Sequence, residues 1–286
     1  MLLSLCWLEK NYNISALMAD VNTAENLAKK IRLDVLKMIH LAGSSHIGSC
    51  FSISDILAVL YTKFLRIDSK DPSWDLRDRF FLSKGHAVAA LYSLLARLGF
   101  FEEKKLESFY QKGSLLLGHA NHKIPGIELS TGSLGHALSV ATGVALAGKL
   151  RAKNFKVVVL LSDGELDEGS NWEAILFASH HCLDNLYAII DYNKIQSLGR
   201  TEDTLSLEPV RGKFEAFNWE VKECNGHDYG DIENKLNSFS EAIPHVLIAH
   251  TIKGKGVSFM ENAVLWHYRN PQGEEYKMAE EELLNA

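Results

Sequence analysis

Residues 156–165 read KVVVLLSDGE, and this short stretch decides the fold. Its continuous apolar run predicts a strand over residues 156–162, of the kind that is buried on both faces of a parallel sheet. A second strand is predicted at 186–191, and it leads into the segment DYNKI at residues 191–195. Helical patterns at 135–153 and 171–182 flank the two strands. Because strand and helix alternate, we expect right-handed strand–helix–strand units with parallel strands.

The same alternation extends toward both ends of the chain. Residues 111–133 are rich in Gly, His and Pro, and we expect them to be irregular. One helix should run to about residue 65, with Ser52 or Ser54 as its cap. Further strands are predicted at 79–82, 219–223 and 245–250, and further helices at 22–42, 87–98, 209–217 and 230–239. The predicted fold class is α/β, with a doubly wound, mainly parallel sheet flanked by helices.

The composition describes an ordinary globular protein and excludes several function classes. The 286 residues are 47% hydrophobic and 23% charged, with a net charge of −6 and both signs mixed along the chain. This mixture argues against nucleic acid or a membrane surface as a partner. No apolar run approaches the ~20 residues that span a bilayer. The four cysteines are widely spaced without a C-x-x-C pair, which favours a reducing, cytoplasmic location.

We expect the chain to consist of one large domain with an extension at each end. Residues 1–20 precede the first helical pattern and are predicted to be a poorly ordered extension, with Met1 or Met18 as the true start. The domain itself should cover residues 21–275. Residues 276–286 are expected to form a C-terminal tail.

Two polar side chains follow the two central strands. Asp163 comes directly after the first strand, and Asn193 follows the second strand 30 residues later. Ligands of open α/β sheets collect beyond the carboxyl ends of such strands. One carboxylate, one amide oxygen and one backbone carbonyl suit Mg²⁺, which recruits phosphate oxygens to complete its shell. Either piece alone is more simply a turn or a cap, but the pair at this spacing favours a metal and phosphate site.

These residues carry a resemblance to a known family. The segment resembles the thiamine diphosphate motif, G-D-G followed at this spacing by N, in the version found in the transketolase family. The resemblance extends from about residue 22 to residue 275. It also rests on SSHIG at 44–48, SKGHA at 83–87, LGHA at 117–120, GSLGH at 132–136, EG at 168–169, GHD at 226–228, TIKG at 251–254 and WHY at 266–268.

The resemblance implies a thiamine diphosphate-binding domain of the diphosphate-binding type over residues 21–275. Mg²⁺, with Ca²⁺ or Mn²⁺ as substitutes, would be bound by Asp163, Asn193 and the carbonyl of Ile195. Leu134 would touch the thiamine rings. The residues expected near the diphosphate are Gly164, His86, Gly132 and His267.

The resemblance also implies the catalytic residues. His46, His86, His119 and His267 would line the mouth of the site, where the hydroxyl groups of a sugar bind. Histidine suits this role because it exchanges protons with hydroxyl groups near neutral pH. Glu168 would be the acid at the interface with the neighbouring active site. We expect His40, His180, His181 and His245 to be structural or exposed.

Three positions depart from the family pattern. Ser162 replaces the first glycine of G-D-G, which is tolerated if the backbone does not need a positive φ. Ile47 replaces a proline and Lys84 replaces an asparagine. Both lie beside proposed site histidines, so they put in doubt the identity of the sugars rather than of the cofactor.

The function implied by the resemblance is that of a transketolase, a transferase that passes a two-carbon ketol unit from a ketose phosphate to an aldose. Full-length transketolases also contain a pyrimidine-binding domain, which carries the glutamate that activates the cofactor. The chain ends 30 residues after Gly256, which leaves no room for that domain. We therefore expect a separate C-terminal subunit, in an α₂β₂ assembly.

Three alternatives remain open at this point. The chain could be the alpha subunit of a 2-oxoacid dehydrogenase or a relative of 1-deoxyxylulose-5-phosphate synthase. It could also be a non-catalytic scaffold of the same fold. The histidines at 46, 119 and 267 favour a polyhydroxylated sugar over a 2-oxoacid.

Overall fold

The computed structural model describes residues 23–240 and 243–285. The extension predicted at 1–20 lies outside these described residues. The strands are Arg79–Leu82 (β1), Val157–Ser162 (β2), Leu186–Tyr192 (β3), Glu220–Asn225 (β4) and His245–His250 (β5). The helices are Ala24–Ala42 (α1), Ile47–Ser52 (α2), Ser54–Val59 (α3), Val88–Arg97 (α4), Ala137–Leu150 (α5), Gly169–His180 (α6), Thr201–Thr204 (α7), Val210–Ala216 (α8), Tyr229–Asn237 (α9) and Glu274–Asn285 (α10).

The strands form one parallel sheet in the order β1-β2-β3-β5-β4. Successive side chains of a strand point to opposite faces, and each face has its own core. Val158 and Leu160 of β2 pack with α1, α4, α9 and α10, whereas Val157, Val159 and Leu161 pack with α5, α6 and α8. Helices therefore cover both faces, and the predicted doubly wound α/β fold is confirmed.

The helix predicted to run to about residue 65 is present, but the serines proposed to cap it do not do so, and the short helix before it was not predicted. The segment is divided at Ile53 into α2 and α3, and Leu60–Phe64 follows α3 as a π-helix. Neither serine caps a helix by its side chain. Ser52 donates to the carboxylate of Asp191 at 2.7 Å, and Ser54 donates to the carbonyl of Cys50 at 3.0 Å.

The residues set apart as a C-terminal tail lie within α10. Ala279 and Leu283 of this helix are buried in the same core as α1. Lys29 of α1 donates to the carbonyl of Leu284 at 2.7 Å. Residues 276–285 are thus packed onto the domain rather than separate from it. In the described part of the chain, no helix has the length and apolar character that crossing a membrane requires.

Candidate cofactor site

A cavity of about 150 Å³ lies beyond the carboxyl ends of β2 and β3. The parallel arrangement brings these two strand ends together, since Ser162 pairs with Asp191 in the sheet register. The predicted site residues that line the cavity are His86, Leu134, Asp163, Gly164, Asn193, Ile195 and His267. Its other lining residues are Ser49, Ser162, Gln196, Ser197 and Lys253.

Asp163 begins the turn after β2, and its side chain is 1% exposed. Its carboxylate accepts hydrogen bonds from the backbone N–H of Gly164 at 2.7 Å and from that of Lys194 at 2.5 Å. Burial, reinforced by the charge of Asp191, raises the pKa of Asp163 to about 6. A buried carboxylate of this kind is a strong candidate to bind a cation, because a nearby positive charge favours its ionised form.

Asn193 and Ile195 supply the other two predicted ligand oxygens. Asn193 donates through Nδ2 to Asp191 at 2.9 Å and accepts the Ile195 N–H through Oδ1 at 3.0 Å. These two contacts fix which way the amide faces. The Ile195 carbonyl accepts a hydrogen bond from the ammonium of Lys253 at 2.8 Å. A carboxylate, an amide oxygen and a backbone carbonyl are the hard donors that Mg²⁺ prefers, so the residues present fit this ion.

Asp191 is a residue whose role the sequence analysis missed, although it lies in the quoted DYNKI segment. It is fully buried and accepts hydrogen bonds from Ser52 Oγ at 2.7 Å, Lys84 Nζ at 2.5 Å and Thr251 Oγ1, in addition to Asn193. Burial opposes its ionisation, but the charge and hydrogen bond of Lys84 outweigh burial and lower the pKa of Asp191. Lys84 therefore neutralises the buried carboxylate of Asp191.

Lys253 is the second group that was missed as a site residue. Its ammonium lies 2.8 Å from the Ile195 carbonyl and 2.9 Å from Nδ1 of His267, and the side chain is 1% exposed. Burial and the charge of Lys84 lower the pKa of Lys253 to about 8. The TIKG motif was the available signal, but the sequence does not show that its lysine turns into the cavity.

The structure brings all four predicted histidines together. The ring centroid of His46 lies 4.9 Å from that of His86, 6.3 Å from His119 and 5.0 Å from His267. His46 adopts a positive φ of 75°, and its N–H donates to the His267 carbonyl at 3.0 Å. His86 contacts the hydroxyl of Ser49 through Nε2 at 3.2 Å.

Three members of the histidine cluster, His46, His86 and His267, are neutral near pH 7. Burial, with the nearby positive charge of Lys253, lowers the pKa of His267 to about 3. Burial, with His119 and Lys253, lowers the pKa of His46 to about 4. Burial likewise lowers the pKa of His86 well below its ordinary value. A neutral imidazole has one donor and one acceptor, so these rings can hydrogen-bond hydroxyl groups.

Four predicted residues lie outside the cavity lining, as far as the described residues show: His46, His119, Gly132 and Glu168. Gly132 is exposed, and a Cβ there would lie 3.3 Å from the His119 ring. Glu168 is exposed at the start of α6 and packs against Gly135. The buried acid of this region is instead Glu165, which accepts Ser83 Oγ at 2.5 Å and the N–H of Gly135 at 2.9 Å. It ties three loops together, a role that its place in the SDGE segment did not reveal.

The four histidines expected to be structural or exposed, at positions 40, 180, 181 and 245, are so. His40 contacts the Pro271 carbonyl at 3.0 Å, and His245 is buried with Nε2 at 3.0 Å from the Asp184 carbonyl. His180 and His181 are exposed. Ser162 has no positive φ, so its replacement of glycine is compatible with the strand end.

The fold and the site together define a class of protein. A doubly wound domain with hard oxygen donors and buried ammonium groups at its strand ends is suited to bind a phosphorylated cofactor through a divalent cation. Comparison with known proteins identifies the family. Residues 23–282 match the family model described as transketolase, thiamine diphosphate binding domain, and the chain belongs to this family.

Relatives of two lengths match the chain. It is 42% identical to an apulose-4-phosphate transketolase subunit of Phocaeicola vulgatus, over 92% of this chain and 94% of that protein. It is 37% identical to a 6-deoxy-6-sulfo-D-fructose transketolase subunit of a Clostridium species, over 92% and 96% respectively. The transketolase of Homo sapiens is 38% identical over 85% of this chain but only 39% of its own length.

Solved structures agree with this assignment. The transketolase from Leishmania mexicana superposes with a TM-score of 0.86 at 29% identity, over 91% of this chain and 41% of that one. The transketolase from Campylobacter jejuni gives a TM-score of 0.84 at 34% identity, over 93% and 43%. The chain thus spans about two fifths of these transketolases. The predicted family, fold class and thiamine diphosphate cofactor are confirmed.

Proposed function

We propose that the chain is the N-terminal subunit of a two-chain transketolase, which transfers a two-carbon ketol unit from a ketose phosphate to an aldose. The observation that carries this proposal is a cavity in which Asp163, Asn193 and Lys253 lie together with His86 and His267. The match over 94% of a relative that is itself named as a transketolase subunit supports the division into two chains.

The residues around the cavity have distinct proposed roles in holding the cofactor. Asp163, Asn193 Oδ1 and the Ile195 carbonyl would bind Mg²⁺, with Gly164 and Gly132 near the diphosphate and Leu134 against the rings. Bound there, thiamine diphosphate supplies the carbanion chemistry of ketol transfer. Lys253 already contacts the Ile195 oxygen, so its ammonium is placed to neutralise a diphosphate beside the metal.

The four histidines are proposed to handle the sugar. The rings of His46, His86, His119 and His267 form one cluster, and His86 and His267 line the cavity. The cluster can bind adjacent hydroxyl groups and move a proton to or from one of them. A 2-oxoacid offers no such row of hydroxyl groups. This cluster therefore favours a sugar substrate over that of a 2-oxoacid dehydrogenase.

The partner is proposed to be a separate C-terminal subunit in an α₂β₂ assembly. Large apolar side chains remain exposed on neighbouring helices: Val140 of α5 is 41% exposed, and Leu176 and Phe177 of α6 are 60% and 40% exposed. Glu168 lies at the start of α6. Exposed apolar groups of this size are typical of a contact surface, and Glu168 would then lie at the subunit interface. A cytoplasmic location is also proposed, supported by the free thiols of Cys50, Cys182 and Cys224.

An activity assay tests the proposal directly. The chain and its partner are mixed with Mg²⁺, thiamine diphosphate, xylulose 5-phosphate and ribose 5-phosphate. Release of glyceraldehyde 3-phosphate without CO₂ is expected, whereas turnover of pyruvate alone would refute the proposal. Ketoses of the kinds named in the two relatives, an apulose phosphate and a sulfofructose, serve as further donors to define the sugar.

Calorimetry tests the metal assignment. Asp163→Ala removes the charged ligand, and we expect Mg²⁺-dependent affinity for thiamine diphosphate to fall by about 100-fold or more in the presence of the partner. The exposed Asp203 provides the matched control, since Asp203→Ala leaves the cavity unchanged. Equal affinity of Asp163→Ala and the wild type would exclude this metal site. Absence of binding in the wild type would favour the scaffold alternative.

A further inference from the structure

A buried polar cluster lies beside the cofactor cavity and takes no part in the roles above. Its centre is Asp55 of α3, whose side chain is 3% exposed. Arg32 of α1 donates to both carboxylate oxygens, at 2.9 and 2.5 Å. The Tyr229 hydroxyl donates a hydrogen bond to Asp55 Oδ1 at 2.9 Å, and Nδ1 of His227 lies 2.7 Å from Asp55 Oδ2. The cluster thus joins two helices to the loop between β4 and α9.

The contacts of His227 determine its tautomer. The backbone N–H of Ile252 donates to Nε2 of His227 at 2.8 Å, so Nε2 carries a lone pair. The proton must then reside on Nδ1, which donates it to Asp55. A carboxylate that orients a histidine in this way leaves the far nitrogen as a fixed acceptor. His227 therefore holds one backbone amide of the segment that follows β5.

That amide belongs to the residue before Lys253. The flanking positions of the segment are also held, since Thr251 donates to Asp191 and the Gly254 N–H donates to the Gly48 carbonyl at 3.1 Å. The direction of the Lys253 side chain depends on this backbone. Its ammonium reaches into the cavity, 2.9 Å from His267.

We propose that His227 is a positioning residue for the cofactor, because it holds the Ile252 amide and so aims the Lys253 ammonium at the diphosphate. Asp55 orients the His227 ring, and Arg32 balances the charge of Asp55. This inference rests on the proposed function, in which the cavity binds thiamine diphosphate. It assigns a task to the GHD motif, which the metal and sugar sites leave without one.

Two substitutions separate positioning from packing. In His227→Asn the amide Nδ2 replaces Nδ1 and can still donate to Asp55, but the shorter side chain does not reach Ile252. In His227→Gln the Oε1 atom replaces Nε2 and can still accept the Ile252 N–H, while the donor to Asp55 is lost. A positioning role predicts that the Asn variant weakens cofactor binding and that the Gln variant largely retains it.

The experiment is calorimetric titration of thiamine diphosphate, with Mg²⁺ and the partner subunit, into the two variants. We expect about 10-fold weaker binding for His227→Asn and a change below about 3-fold for His227→Gln. Urea unfolding should show the opposite order, since only the Gln variant removes the hydrogen bond from residue 227 to the buried Asp55. The exposed His250, which contacts Glu223 at 2.7 Å, provides the control His250→Ala, which should bind as the wild type does.

A double-mutant cycle identifies Lys253 as the group through which His227 acts. In a Lys253→Ala background, His227→Asn should change the affinity by less than about 2-fold, because the positioned ammonium is absent. An undiminished effect in that background would overturn the inference, as would losses of affinity that follow the losses of stability in both variants. If the cycle shows coupling but the complex has no transketolase turnover, the proposed activity fails and the positioning role stands.

Discussion

Two buried carboxylates at neighbouring strand ends, Asp163 and Asp191, have opposite electrostatic surroundings. Asp191 lies in β3 and pairs with Ser162, the residue immediately before Asp163. Both side chains are almost completely buried. The pKa of Asp163 is raised to about 6 by burial and by the charge of Asp191. In contrast, the Lys84 ammonium overcomes burial and lowers the pKa of Asp191.

The difference divides two neighbouring carboxylates into two kinds of site. Asp191, paired with a cation of the chain, is called the closed site, and Asp163, without such a salt bridge in the described residues, is called the open site. Asp191 has a cation of the chain itself at 2.5 Å. Within residues 23–240 and 243–285, no ammonium or guanidinium forms a salt bridge with Asp163, which accepts two backbone amides instead. Asp191 therefore stabilises the fold and orients the Asn193 side chain. Asp163 is the carboxylate proposed to bind an external cation.

The largest effect is expected from removing the cation of the closed site. Lys84→Met leaves the buried carboxylate of Asp191 without its ammonium, so the free energy of unfolding should fall by about 3–5 kcal/mol. Urea denaturation measures the change. The control is Lys149→Met, which breaks the half-exposed pair with Asp184 and should lower stability by less than about 1 kcal/mol. Equal losses in the two variants would show that Asp191 does not depend on Lys84.

At the open site, removing the charge of Asp163 should stabilise the chain instead of destabilising it. The pKa of Asp163 is raised from 3.8 to about 6, so the folded chain favours the protonated acid. Its contribution to stability is greatest below pH 3.8 and is lost as pH rises through 6. In EDTA, Asp163→Asn should therefore stabilise the chain by about 3 kcal/mol at pH 8 and by much less at pH 4.

Thermal or urea unfolding across this pH range measures the effect of Asp163→Asn. Asp203→Asn is the exposed control and should show no such pH dependence. Saturating Mg²⁺ and thiamine diphosphate, added with the partner, should stabilise the wild type but not the Asp163 variant. A difference that does not vary with pH would mean that Asp163 is not an uncompensated buried acid.

A smaller effect should distinguish two neighbouring buried serines. Ser52 donates to the Asp191 carboxylate and Ser54 to the neutral Cys50 carbonyl. Hydrogen bonds to a charged group contribute about 1.5–3 kcal/mol and neutral ones about 0.5–1.5 kcal/mol. Ser52→Ala should therefore lower the free energy of unfolding more than Ser54→Ala does. The reverse order in urea denaturation would contradict an ionised Asp191.

Much of the sheet is predictable because its signal is local. β1 and β5 have the predicted bounds, and β2 and β3 differ from theirs by one residue at one end. Continuous apolar runs identify strands that are buried on both faces, whatever covers them. That Asp163 and Asn193 lie near each other was also predictable, since the ends of neighbouring parallel strands must meet, whereas the ligand Ile195 follows from the family resemblance. The predicted site residues themselves remain predictions until binding is measured.

The helix break at Ile53 and the packing of α10 were not predictable in this way. Ser52 has the sequence features of a helix cap, yet its hydroxyl is used by Asp191, which lies 139 residues away in the chain. The last helix has the polar composition of a tail, and its two buried residues find their core only against α1. Both outcomes depend on partners that are remote in sequence.

The amino-acid sequence by itself determined the alternation of strands and helices, the family, and the two loop tips expected to bind a metal. Only the tertiary structure decided that Lys84 and Lys253 are buried, which carboxylate has a cation of its own, and how His227 contacts the backbone beside the cavity. The physical reason is that apolar periodicity is a property of neighbouring residues. A buried charge, in contrast, is stable only beside a counter-charge that folding brings from elsewhere in the chain.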